Sequence, residues 1–358
     1  MKRFDRLVGA SLSTALLAAC SNGGNGLFPS TRTPESMAPL RSSAAPSTLV
    51  LDTAYVNLYV ANIGGNNVTV YGPGSTSVLR TISQGVRGPE ALAFDSSGNL
   101  YVANDPVYRA GRGSVTVYPP GSTSVRRTIS LGVRHPSALA FDTSGNLCVA
   151  NRHGDDVTVY APGSGSVLRT ISRLRGPDAL AFDGSRNLYV ASAGAGIRSN
   201  RVTEYAPGQR TVLRSISQGI SDPRALAFDG SGNLYVVNES DSTTVYAPGS
   251  DVVLRTISEG MDGPDALLID GSGKLYVANS LGETVTVYAP DSEKLVRTIS
   301  HNVEPLALAF DGSGNLYVAN AGYAGGRSSV KVYAPGTGVP TRTIFHGVNS
   351  PDALAFGP

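Results

Sequence analysis

The chain has 358 residues, room for two average domains or one large all-β domain, with 42 Gly, 22 Pro, 16 Tyr, no Trp and 16% charged residues. Such a composition is rich in turn and strand formers and excludes a coiled coil or a disordered chain. The formal net charge is +2, from 29 basic and 27 acidic residues, and no long like-charge run follows the N-terminus, which excludes a nucleic-acid footprint.

Residues 1–19 read as a signal segment. Lys2, Arg3 and Arg6 supply a positive start, and Leu7 to Ala19 is an apolar stretch ending in small residues. It is too short to span a bilayer. Its end, Leu17-Ala18-Ala19-Cys20, resembles the lipobox of bacterial lipoprotein signals. That resemblance implies cleavage before Cys20 and lipid on its sulfur and new amino group. Ser21, in place of Asp, points to the outer membrane. The expected location is therefore the bacterial cell envelope, with the lipid as the only contact with membrane. Residues 20–47 hold the lipidated cysteine and a Ser-, Pro- and Gly-rich segment that cannot bury a core and reads as a flexible tether. Cys148 is the one other cysteine, so no intramolecular disulfide is available. It stands where other repeats carry Tyr and reads as a small buried hydrophobe.

From residue 48 to 358 the sequence repeats itself. The segment Leu58-Tyr59-Val60-Ala61-Asn62 recurs with its last residue at Asn104, Asn151, Ser192, Asn238, Asn279 and Asn320, at spacings of 42, 47, 41, 46, 41 and 41 residues. Each unit holds four short β-type runs. In the second they are Ala91–Phe94, Leu100–Ala103, Val115–Tyr118 and Arg127–Ser130, separated by turns such as Asp95-Ser96-Ser97-Gly98-Asn99. Four strands per period of about 40 residues make a propeller blade. The small, apolar Ala-Leu-Ala-Phe run suits the crowded axis. The Arg-Thr-Ile-Ser run, with Arg80, Arg127, Arg169, Arg214, Arg255, Arg297 and Arg342, reads as the outer edge, where charge discourages pairing with other molecules. The reading is all-β: a seven-bladed β-propeller of four-stranded antiparallel blades, expected to be a monomer. The chain stops on a seventh innermost run, Asp352–Phe356, predicted to join the N-terminal blade and close the ring. Residues 48–52 compete for the same slot.

The units resemble NHL-type and YVTN-type propeller repeats, with Tyr-Val-Ala-Asn in place of Tyr-Val-Thr-Asn. The resemblance implies the propeller fold. Function varies widely among such propellers, which include scaffolds, envelope proteins, lactonases and lyases.

Enzyme motifs are absent: the sequence has no Gly-x-Ser-x-Gly, HExxH, CxxC or Walker loop. Its four histidines, His135, His153, His301 and His346, read as scattered, solvated loop residues. The Asp-Gly-Ser-Gly-Asn turns lack the alternating ligands and final Glu of a calcium loop, so their Asp reads as bonded to its own turn. Two features point to a binding face. The long loops at 105–114, 193–201 and 321–329 share one face and carry Tyr108, Arg109, Arg198 and Arg327. On the same face, the residue after the Pro that opens each innermost strand rings the channel mouth. These residues include Glu90, Asp178, Arg224, Asp265 and Asp352. Asp178, Arg224 and Asp265 form a potential ion network. Glu90 and Asp352, on adjacent blades, lack a visible partner and form a candidate oxygen-only site for calcium or magnesium; no other cofactor is expected. The function expected is a scaffold binding a small ligand or an envelope protein. The alternative is a divalent-metal-dependent, lactonase-like or lyase-like enzyme.

Overall fold

The computed structural model describes residues 56–106, 113–194, 200–300, 303–322 and 326–358. The signal segment, Cys20, the tether and residues 48–52 lie outside them. The described strands form seven four-stranded antiparallel sheets. In blade 2 the strands run Pro89–Phe94, Leu100–Asn104, Ser114–Tyr118 and Arg127–Ile129 from axis to rim. Each innermost strand touches its counterparts in the two neighbouring blades, which closes the ring.

The seam lies in blade 1. Its innermost strand is the C-terminal Pro351–Gly357, paired with Asn57–Asn62 so that Leu58 faces Phe356 and Val60 faces Leu354. A second latch crosses the same seam: the Tyr71 hydroxyl of blade 1 donates to the His346 carbonyl at 2.6 Å. Tyr118, Tyr160, Tyr246 and Tyr288 make the equivalent bond to the turn of the preceding blade.

Burial follows from blade stacking. Second strands such as Leu100–Asn104 are buried along their whole length, because neighbours cover both faces. Outer strands such as Val78–Ile82 alternate between exposed and covered residues. The rim arginines depart from the sequence reading. Instead of guarding a free edge, they turn inward to the second-strand tyrosines: Arg80 donates to the Tyr59 hydroxyl at 2.6 Å, Arg255 to Tyr235 at 3.0 Å and Arg342 to Tyr317 at 2.8 Å. Five of the second-strand tyrosine rings then meet a phenylalanine of the next blade edge-on, as in Tyr59–Phe94 at 4.9 Å, while Tyr235 packs with Ile269. In blade 3 Cys148 takes the tyrosine's place, and a cavity of about 290 Å³ lined by Asp142, Cys148, Arg169 and Phe182 lies between blades 3 and 4. Burial pushes the Cys148 thiol up to about 12, which leaves it unreactive.

The Asp-Gly-Ser-Gly-Asn turns behave as expected. Asp229 accepts hydrogen bonds from the backbone of Ser231 and Asn233 and from the Asn233 side chain.

Candidate functional site

Three local features repeat in every blade and aim two side chains at the axis. The residue before the innermost Pro has a left-handed backbone: Gly88, His135, Gly176, Asp222, Gly263, Glu304 and Ser350 all have φ between +45° and +60°. At Gly88 only glycine fits, since a Cβ would lie 2.2 Å from the Asp105 carbonyl. The residue after the Pro then forms a β-bulge, because pairing with the second strand skips from Pro89 to Ala91 and likewise in the other blades. A bulge re-aims its side chain out of the ladder. Finally, the residue after the second strand donates its N–H to the carbonyl before the Pro, as Asp105 does to Gly88 at 2.8 Å and Arg152 to His135 at 2.9 Å.

The mouth therefore carries two rings of seven positions. The bulge ring, from blade 1 to blade 7, is Asp352, Glu90, Ser137, Asp178, Arg224, Asp265 and Leu306. The second ring is Ile63, Asp105, Arg152, Ala193, Glu239, Ser280 and Ala321. Six carboxylates face two arginines.

Asp178 is 1% exposed and is the anchor for both cations. Arg152 reaches one of its oxygens, and Arg224 Nη1 lies 3.6 Å from the other. Arg224 also pairs with Glu239. Asp265 makes no ion pair within 4.0 Å among the described residues; Arg224 acts on it only through space. Burial raises the Asp265 carboxyl to about 6, opposed by a hydrogen bond from Ser280 and by Arg224. The Asp178–Arg224–Asp265 grouping is thus resolved into Asp178 with two arginines and Glu239, with Asp265 standing apart.

Glu90 and Asp352 are 1% and 2% exposed. Both Glu90 carboxylate oxygens and Oδ2 of Asp352 accept no hydrogen bond among the described residues. Burial, followed by the charge of Asp352, holds the Glu90 carboxyl well above its ordinary range. Burial does the same for Asp352, against the pull of Arg152. Two ionised carboxylates cannot share a dry site cheaply. Burial therefore favours the protonated form of each carboxyl relative to an exposed one.

Arg152 is the residue that sequence reasoning missed. It bears electrostatically on Glu90, Asp352, Asp105 and Arg224 as well as Asp178, so charges from four other blades converge on it. The signal was present: aligning the repeats by the residue after the second strand places Arg152 beside Asp105 and Glu239. Of the four histidines, His153 and His346 are exposed as expected and His301 lies outside the described residues, but His135 and His153 are not scattered. His135 Nδ1 lies 2.8 Å from Asp105 Oδ1, and the His135 and His153 rings meet edge-on at 4.3 Å. Burial and the neighbouring His135 lower the His153 pKa. The two histidines are far from scattered: both stand on the mouth face of blade 3, because His135 precedes its innermost Pro and His153 follows Arg152.

Among the long-loop residues, Tyr108, Arg109 and Arg198 lie outside the described residues. Arg327 is exposed and stacks over the Phe345 ring at 4.7 Å. Among the described residues, no group of three or more His, Cys, Asp or Glu side chains is arranged to hold a metal ion.

No family model matches the chain, and comparison with curated proteins gives no match. Solved structures do resemble it. A candidate 6-phosphogluconolactonase from Bacteroides fragilis superimposes with a TM-score of 0.67 at 16% identity, over 87% of this chain and 99% of that one. A candidate 6-phosphogluconolactonase from Bacteroides uniformis gives 0.66 at 15%, over 85% and 99%. A protein from Lactobacillus plantarum gives 0.68 at 16%, over 84% and 99%. At such identities the likeness speaks to architecture alone, and it agrees with the blade count and strand order: the chain is a seven-bladed β-propeller.

Proposed function

We propose that the protein is a bacterial envelope propeller, built from NHL/YVTN-type repeats and held to membrane by lipid on Cys20, that binds a ligand at its axial mouth. The observation that carries this reading is the Glu90–Asp352 pair: buried carboxylates of which both Glu90 oxygens and Oδ2 of Asp352 have no hydrogen-bond partner among the described residues. Leaving such groups unsatisfied costs about 1–3 kcal/mol each, and unsatisfied polar groups persist where a ligand completes them. The bulge and the left-handed residue before it hold the pair in place, so the site is rigid before anything binds. The test is a thermal-shift panel of amines, polyols, lactones and calcium on the full chain and on its Glu90→Gln/Asp352→Asn variant. A stabilising ligand whose effect vanishes in the variant supports the reading. A panel in which every shift is the same in both proteins contradicts it.

A second reading, a lactonase-like hydrolase, is favoured by one observation: His135 Nδ1 lies 2.8 Å from Asp105 Oδ1 on the same mouth. A carboxylate at Nδ1 orients an imidazole as a general base for water. The names of the Bacteroides neighbours point the same way. Acid release from sugar δ-lactones that is lost in His135→Gln would support it, and equal rates in both proteins would remove it.

A further inference from the structure

We propose that the ligand completing the Glu90–Asp352 pair is a primary ammonium on an aliphatic chain; the proposal rests on the axial-mouth reading above. Four observations select this chemistry. First, every unsatisfied oxygen of the pair is an acceptor: Oε1 and Oε2 of Glu90 and Oδ2 of Asp352. A primary ammonium carries three N–H donors and no acceptor. Second, the mouth holds six carboxylates and two arginines, and both arginines are engaged, with Asp178 and Glu239. The uncommitted charge is negative.

Third, charge balance favours a monovalent cation. Burial disfavours two full negative charges on the pair, and an entering ammonium offsets one of them. A divalent ion would add a further charge near the Arg152 guanidinium, and the described residues offer no three-ligand group for a metal. Fourth, the wall beside the pair is apolar. Blade 7 contributes Leu306 and Ala321, both buried and in mutual contact, between Asp265 of blade 6 and Asp352 of blade 1. That wall suits methylene groups, whereas a polyol would leave its hydroxyls against hydrocarbon. The way in passes Arg152, whose side chain is 20% exposed. A free amine and a lysine side chain of a partner protein offer the same chemistry.

Calorimetry of the full chain at pH 8 tests the proposal with four probes: butylammonium, Nα-acetyl-lysine methylamide, trimethylbutylammonium and calcium chloride. Butylammonium or the lysine derivative is expected to bind saturably. Trimethylbutylammonium keeps the charge and chain but has no N–H, and is expected to bind at least tenfold more weakly. Glu90→Gln/Asp352→Asn is expected to weaken binding at least tenfold. Glu90→Gln alone serves if the double variant does not fold. Binding of butylammonium assigns the site to free amines; binding of the lysine derivative alone assigns it to a partner's lysine. Equal binding of trimethylbutylammonium, binding of calcium alone, or an unaffected variant overturns the proposal. If no amine binds but another panel compound acts through the pair, the ammonium proposal fails while the axial-mouth reading stands.

Discussion

Cys148→Tyr should stabilise the protein, because blade 3 lacks a ring that the other blades use. Elsewhere the second-strand tyrosine accepts a hydrogen bond from the rim arginine, at 2.6 Å for Arg80–Tyr59 and 2.8 Å for Arg342–Tyr317. It also meets the next blade's phenylalanine edge-on, at 5.0 Å for both Tyr101–Phe141 and Tyr317–Phe356. In blade 3 the matching Asp142, Arg169 and Phe182 line a cavity of about 290 Å³ with Cys148, against about 220 Å³ at the equivalent place beside Tyr317. An edge-to-face ring pair contributes about 0.5–1.5 kcal/mol beyond area burial. The arginine–hydroxyl bond adds about 1 kcal/mol. After the entropy of fixing the ring, a net gain of about 2 kcal/mol remains, or roughly 4 °C in melting temperature for a chain of this size. Differential scanning calorimetry of the two proteins measures it. The reverse change, Tyr101→Cys, should lose about 3 kcal/mol, in the range for emptying a core site. An unchanged or lower melting temperature for Cys148→Tyr would refute the claim that this cavity has the shape of the missing ring.

Ser192→Asn should also stabilise. Ser192 stands where six blades carry Asn, and its hydroxyl and that of Thr203 lack partners among the described residues, whereas Asn104 donates to Thr116 at 3.1 Å; urea unfolding should show a gain of about 1 kcal/mol. Gly88→Ala should lose more than about 1 kcal/mol in the same assay, since it strains a left-handed residue and drives a methyl into the Asp105 carbonyl. Asp265 has its folded carboxyl raised to about 6 from 3.8, so its contribution is complete below about pH 4 and is lost as pH rises through 6. Asp265→Asn should therefore gain up to about 3 kcal/mol on wild type between pH 4 and pH 7.5, as read from urea unfolding at both. Removing residues 351–357 takes Leu354 and Phe356 from the seam and should abolish cooperative melting, as circular dichroism would show.

The fold was legible because the repeat carries it. Small apolar residues in Ala-Leu-Ala-Phe mark the axis, continuous burial marks Leu-Tyr-Val-Ala-Asn, and the stray final strand marks the seam. The rim arginines misled because a charge beside exposed residues looks like an edge guard. Only the third dimension shows that the guanidinium folds back to a tyrosine some 21–25 residues away, as Arg80 does to Tyr59 and Arg342 to Tyr317. Glu90 and Asp352 could be placed at the same position of the mouth because the Pro before each fixes the alignment of the repeats. Arg152, Asp105 and the His135–His153 contact were missed for two physical reasons. A β-bulge leaves no mark in hydrophobic alternation, and cross-axis neighbours come from blades remote in sequence. His135 takes a left-handed conformation that glycine takes in blades 2, 4 and 6, so its aim at Asp105 is not written in its neighbours.

The central claim is that the axial carboxylate pair is kept for a ligand and not for the fold. The unfolding free energy of Glu90→Gln/Asp352→Asn against wild type, in urea at pH 5 and pH 8 without ligand, tests it most directly. Both carboxyls are raised in the folded state, so the wild type loses stability as pH climbs from their unfolded values, near 4, through the folded ones. The amide variant has no such loss. The account predicts that the variant is the more stable protein at pH 8, by about 1–3 kcal/mol, with a smaller difference at pH 5. A variant less stable than wild type at both pH values would contradict it, by showing that the pair holds the propeller together.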